Sequence, residues 1–179
     1  MNEEQRKISD IARKLWTTLI ENGERNLATA FKVEPKLTMT KQELGDWLGK
    51  NVFPGVSLWD EKYKFESIDF WNSVIAYYWG FRKQYLSDVY DCENFAFYFS
   101  ASMANIFGLN TAGVASGEVY GTLTDKLLDR HAFSLIIATD NGVAKPYLFE
   151  PMKNIMTEWK GQKTVLGDWK YVIQWQEFF

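Results

Sequence analysis

Hydrophobic and polar positions change their period once along this chain, from helical to alternating. Residues 3–21 place Ile8, Ile11, Ala12, Leu15 and Leu19 at helical spacing, with Asn22-Gly23 as a stop. A second short helix is expected over 24–32 through Leu27, Ala28 and Phe31, ended by Pro35. Thr40 and Glu43 form a capping-box pattern for a helix over 41–50, with Leu44, Trp47 and Leu48 inward. Phe53-Pro54-Gly55 reads as a turn, and 56–68 alternates loosely enough for one short strand at Tyr63 and Phe65. Asp69 caps an expected helix over 70–86, and Asp91 caps a central helix over 92–107 that Gly108 ends.

After Gly108 the pattern is β. Residues 111–120 read as a strand weakened by glycines, 121–130 as an exposed polar loop, and 131–139 as a strand. Asp140-Asn141-Gly142 is a hairpin turn signal leading to a partner strand over 144–150. Residues 152–168 read as irregular, and 169–177 as a closing strand with Tyr171, Ile173 and Trp175 on one face. Helices first and an antiparallel sheet afterwards predict an α+β domain, with a central helix packed on the sheet. The chain reads as a single domain over 1–179, with a helical N-terminal extension (1–68) and a core (69–179).

Composition narrows the function classes. Aromatic residues make up 17% of the 179, which suits a large-side-chain core or groove and excludes whole-chain disorder. The net charge of −3, with scattered Lys and Arg, argues against a nucleic-acid surface. One cysteine excludes an internal disulfide and a cysteine-based zinc cluster. The N-terminus lacks an apolar signal-peptide core, and no apolar run is long enough to span a membrane. A soluble protein, cytoplasmic or phage-associated, is expected.

The single cysteine, Cys92, opens the central helix, where free backbone N–H groups favour a thiolate and could hold an oxyanion. The single histidine, His131, begins an apolar strand, and Glu150 ends the partner strand. Counted back from the turn, Thr139 pairs roughly with Val143 and His131 with Pro151, so Glu150 is a cross-strand neighbour of His131. A thiol, an imidazole and a carboxylate in this order supply a nucleophile, a base and an orienting group. Bland readings exist for each: an inert buried thiol, a strand-end histidine, a solvated glutamate. Trp71, Tyr78, Trp79 and Tyr85 suit a core as well as a groove. Asp91 and Glu93 flank the thiol and oppose its ionisation, a difficulty that a calcium or manganese ion shared with Glu118 would relieve.

The runs Asp91-Cys92-Glu93-Asn94-Phe95-Ala96, His131-Ala132-Phe133 and Phe149-Glu150-Pro151 resemble the Cys-His-Glu/Asp pattern of papain-like and transglutaminase-like cysteine peptidases. The likeness is to small bacterial and phage transglutaminase-like proteins and to the protease domain of the Marasmius oreades agglutinin, and it covers about residues 88–156. It implies a thiol-dependent hydrolase of amide bonds acting on a peptide or protein, with Cys92, His131 and Glu150 as catalytic residues. A transglutaminase or deamidase, or an inactive binding module on the same fold, stays open. No cofactor is required, although the agglutinin domain's calcium activation points again to a divalent cation. Two positions depart from the pattern. Met152 stands where Gln is common, and Leu86 stands where papain has its oxyanion Gln, leaving Gln84, with Tyr85 and Trp79, as candidates for the oxyanion or substrate groove.

Overall fold

The computed structural model describes residues 31–78 and 91–179, and the chain divides into two compact units, Met1–Lys32 and Val33–Phe179. The expected helices over 3–21 and 24–32 lie outside the described residues, as do Trp79, Gln84 and Tyr85.

The second unit is built on strands. A small antiparallel pair joins β1 (Leu37–Thr40) to β3 (Lys62–Phe65), and between them lie α1 (Lys41–Asn51) and β2 (Val56–Leu58). After α2 (Ile68–Tyr78) and α3 (Cys92–Phe107) come β4 (Ala112–Gly121), β5 (Leu127–Asp140), β6 (Val143–Glu150), β7 (Ile155–Glu158), β8 (Thr164–Leu166) and β9 (Trp169–Phe178). The large sheet runs β2-β9-β4-β5-β6-β7, with β8 hydrogen-bonded to β9. All its pairs are antiparallel except β2 with β9.

The fold class read from the sequence is corrected here. The expected α+β, papain-like/transglutaminase-like arrangement put N-terminal helices first and centred the fold on one helix. Among the described residues there are nine strands to three helices, and the sheet is the organising element. Residues 37–65, expected to belong to a helical extension, hold three strands. Short strands such as Val56–Leu58 offer too few positions for alternation to register. Residues 127–130, expected as loop, begin β5, and β7 and β8 occupy the stretch expected to be irregular.

Local chemistry explains the elements that the sequence did specify. Glu43 N–H donates to Thr40 Oγ1 and Thr40 N–H to Glu43 Oε2, closing the capping box of α1. Leu44 and Leu48, one turn apart, are fully buried. Helix α2 starts two residues earlier than Asp69 would set it, because Ser67 Oγ accepts from Phe70 N–H. Helix α3 starts at Cys92; Asn94 Oδ1 accepts the Asp91 N–H at 3.2 Å, and Gly108 ends it in the left-handed region.

Both faces of β5 are covered, which is why its apolar run is continuous. Phe133, Leu135 and Ile137 pack with Leu44, Leu48, Tyr63, Phe65, Leu148, Tyr171 and Ile173. Ala132, on the opposite face, packs with Ala96 and Val114 under α3, and Phe99 of α3 meets Phe149 with ring centroids 4.6 Å apart. Burying a Leu or Phe side chain stabilises by about 1.5–3 kcal/mol, so these two layers fix α1 and α3 against the sheet.

Candidate functional site

Three elements deliver the reactive groups. The α3 cap fixes Cys92 at the helix start, half-buried and free of any disulfide. The β5–β6 hairpin places His131 and Glu150 near its open end. Observed pairs are Thr139 with Ala144 and Asp140 with Val143, one residue off the expected register. Asn141 and Gly142 form the two-residue loop, both with positive φ (50° and 80°), as a type I′ turn requires. The expected count gave the loop three residues, Asp140 included. The correction moves His131 one step along the opposing chain and leaves it within side-chain reach of Glu150.

His131 Nε2 lies 2.6 Å from Glu150 Oε2, and both residues are buried. The Tyr171 hydroxyl donates to the same oxygen at 3.0 Å, and Met152 N–H donates to Oε1 at 3.1 Å. The carboxylate is thus engaged at both oxygens. Burial works against a charged His131; hydrogen bonds to Cys92 and Glu150, and their negative charge, outweigh it and raise the imidazole to about 9. Tyr171 is pushed far above its ordinary range by burial and by the Glu150 carboxylate, so it stays a donor. Trp169 meets the imidazole edge-on with centroids 5.2 Å apart, and Lys153 Nζ sits 3.3 Å from the centroid of the Trp169 ring.

Cys92 stands between two partners. Its thiol donates to Glu93 Oε2 at 3.1 Å, and it also interacts with the imidazole. Since Glu150 occupies Nε2, Nδ1 is the ring nitrogen left to face the sulfur. The bond from Cys92 holds the Glu93 carboxyl below the usual range.

The structure therefore brings Cys92, His131 and Glu150 into one cluster. It does not gather the expected cation ligands: among the described residues no group of three or more His, Cys, Asp or Glu side chains is placed to share an ion. Glu118 is engaged by the Tyr120 hydroxyl at 2.5 Å. Sequence reading put Tyr171 on a strand face without connecting it to the site, and it missed Trp169 and Lys153. Tyr171 is placed by its pairing with Val119 of β4 and Thr164 of β8, and no local pattern encodes the β4–β9 pairing. No helix among the described residues is long and apolar enough to cross a membrane.

No protein-family model and no curated protein matches this chain. Among solved structures, the PSL1a–E64 complex aligns with a TM-score of 0.56 at 20% identity, over 79% of this chain and 51% of that one. Polyporus squamosus lectin bound to the human-type influenza-binding epitope Neu5Aca2-6Galb1-4GlcNAc aligns with a TM-score of 0.54 at 16% identity, over 79% of this chain and 50% of that one. At this identity the likeness is one of fold, and the chain spans about half the length of these lectin chains.

These findings overturn the resemblance to papain-like and transglutaminase-like cysteine peptidases, and with it the thiol-protease label. The neighbours in fold are lectin structures, and no family model supports the peptidase assignment. The motifs that suggested it are short runs at a helix cap, a strand start and a strand end. Capping and strand ends impose such residues in many folds, so the runs specify local structure and not a family.

Proposed function

We propose that Cys92, His131 and Glu150 carry out thiol-dependent hydrolysis of an amide bond, peptide or protein in source. The observation that carries this reading is the buried 2.6 Å pair between His131 and Glu150, with Cys92 as the other partner of the imidazole. The Cys92 sulfur attacks the amide carbonyl carbon, and backbone N–H groups at the α3 start receive the developing oxyanion. The C–N bond breaks as the imidazolium gives its proton to the departing amine, leaving a thioester. Water then attacks the thioester, His131 takes the water's proton, and the acid leaves as the thiolate re-forms. Glu150, held by Tyr171, fixes the ring's rotation and supports its positive charge.

Alkylation tests the reading. At about pH 6, Cys92 should react with iodoacetamide faster than an ordinary thiol, followed by intact mass, and His131→Ala should abolish the advantage. E64, bound in one of the structural neighbours, is an epoxide and serves as a second probe of the same sulfur. A native chain that alkylates no faster than its urea-unfolded form ends the proposal.

A specific observation favours a second reading, a carbohydrate-binding module: one of the solved neighbours is a lectin that holds a glycan. The half-length coverage tempers it, because a lectin's sugar site need not lie in the matched half. Calorimetric titration with Neu5Aca2-6Galb1-4GlcNAc decides: saturable heat supports the module, and a flat titration removes that glycan as its ligand.

A further inference from the structure

We propose that Trp59, Phe179 and Phe97 form a subsite for an aromatic or large aliphatic side chain of the amide substrate attacked at Cys92. This rests on the thiol reading above. The three rings come from separate parts of the chain: the loop between β2 and β3, the residue after β9, and helix α3. Phe179 lies between the other two, with ring centroids 6.1 Å from Trp59 and 5.9 Å from Phe97. Trp59 is 65% exposed and Phe97 is 42% exposed. Adjoining exposed rings of this size mark a contact surface more often than isolated ones do.

Two features make the ledge a built one. Trp59 is fixed at both ends: its indole N–H donates to Glu177 Oε1 at 2.6 Å and its backbone N–H to the Phe178 carbonyl at 3.1 Å. A held ring loses little freedom when a ligand settles on it. The ledge also runs up to the thiol. Phe179 and Cys92 pack against the same small cluster of Ala96, Val114 and Ala132, and Phe97 lies one helical turn beyond Glu93. A group on these rings and a carbonyl at the sulfur can therefore belong to one molecule.

The chemistry of the ledge selects its occupant. Three rings provide room for one side chain and not for a helix or a second sheet. Among the described residues, Glu177, bonded to Trp59, and Glu93, bonded to Cys92, border it. Carboxylates at both margins disfavour an anionic occupant, including a sialylated sugar, and leave neutral apolar groups as the best match.

The test compares two alkylating agents on the full chain, iodoacetamide and N-(2-phenylethyl)iodoacetamide, each rate normalised to glutathione. Both form an S–C bond at Cys92 as iodide leaves, so only the appended ring differs. The aromatic reagent should react about ten-fold faster, the advantage of placing one partly buried ring. Trp59→Ala and Phe97→Ala, each checked for native circular dichroism, should bring the ratio down toward one. A fast thiol with a ratio of one in the native chain overturns the subsite alone. Equal ratios in the native chain and both variants do the same. Slow alkylation by both reagents overturns the thiol reading and the subsite with it. If the sialylated glycan perturbs Trp59 fluorescence while the aromatic reagent gains nothing, the ledge is a sugar platform and the inference falls.

Discussion

The turn end of the β5–β6 hairpin and the seam between β4 and β9 both serve the same site, yet they are written in the chain differently. At the turn, Asn141-Gly142 dictates the backbone, and the register propagates along both strands from that one local fact. At the seam, the partners lie 48 to 63 residues apart in sequence, and their register changes between Ser116 and Gly117. Ser116 pairs with Trp175 and Gly117 with Ile173, so Gln174 is the extra residue. The bulge reverses which side chains face inward. Tyr171 and Ile173 are buried before it, Gln176 and Phe178 after it, and Trp175 turns out to 37% exposure. Period-two reading had placed Trp175 with Tyr171 and Ile173. One inserted residue is enough to break that inference, and nothing in the local composition announces it.

Glycine separates the two regions most sharply. A Cβ on Gly117 would lie 1.8 Å from the Val172 carbonyl oxygen and 3.1 Å from Gln174 N. Those are backbone atoms of the bulge and cannot rotate away. Gly117 also pairs with His131 across β4–β5, so the same tight approach seats the imidazole. Gly117→Ala is expected to cost at least about 3 kcal/mol, the scale of severe overpacking, and to slow Cys92 alkylation together with stability. Chemical denaturation measures the first and intact mass the second. A loss below about 1 kcal/mol would mean the bulge relaxes readily and the seam is not the rigid partner in the comparison.

How much of the site was legible follows from this contrast. Cys92 at a helix start was readable because Asp91 and Asn94 are cap residues and Gly108 a stop, all local signals. His131 with Glu150 was readable to within one residue because a turn lay between them. The assignment of the loop as Asp-Asn-Gly rather than Asn-Gly accounts for that slip. Tyr171, Trp169 and Lys153 were not readable, since they reach the imidazole through the seam and through the chain after Glu150. The fold class was missed for a related reason. Strands of three or four residues carry too little pattern to count, and helices of eleven or more dominate any reading by period.

The buried pair gives the next largest effect. His131 has its folded pKa raised to about 9 from 6.5. A group raised in this way contributes stability in full below its unfolded value and loses it as pH rises through the folded one. The expected loss, on the order of 3 kcal/mol, falls between about pH 6.5 and 9. Glu150→Gln keeps an oxygen to accept from Tyr171 but removes the charge, so the dependence across that window should flatten and alkylation should slow. Cys92→Ala removes the sulfur's contribution to the raised value and should shrink the slope as well. Thermal unfolding at a series of pH values reads all three proteins. A native chain whose stability is flat across the window would show that His131 is neutral in the folded state, and the hairpin would then contribute geometry without charge.

The smallest effect tests the turn itself. Gly142 has φ of 80°, and a Cβ there would meet nothing within 4 Å. Gly142→Ala therefore pays for left-handed backbone and for little else, about 1 kcal/mol, partly offset by lower entropy in the unfolded chain. Asn141, also left-handed, tolerates that region better than most residues and should hold the loop in place. The register should survive, because Ile136, Leu135 and Ser134 still pair with Tyr147, Leu148 and Phe149 in a two-sided core. A one-residue slip would turn Leu135 and Leu148 to the wrong faces, at a cost far above 1 kcal/mol. Alkylation of Cys92 in Gly142→Ala should thus match the native rate while the denaturation midpoint drops slightly. If the alkylation rate falls with stability, the turn and not the strand core sets the register, and the site hangs on two residues at the far end of the hairpin.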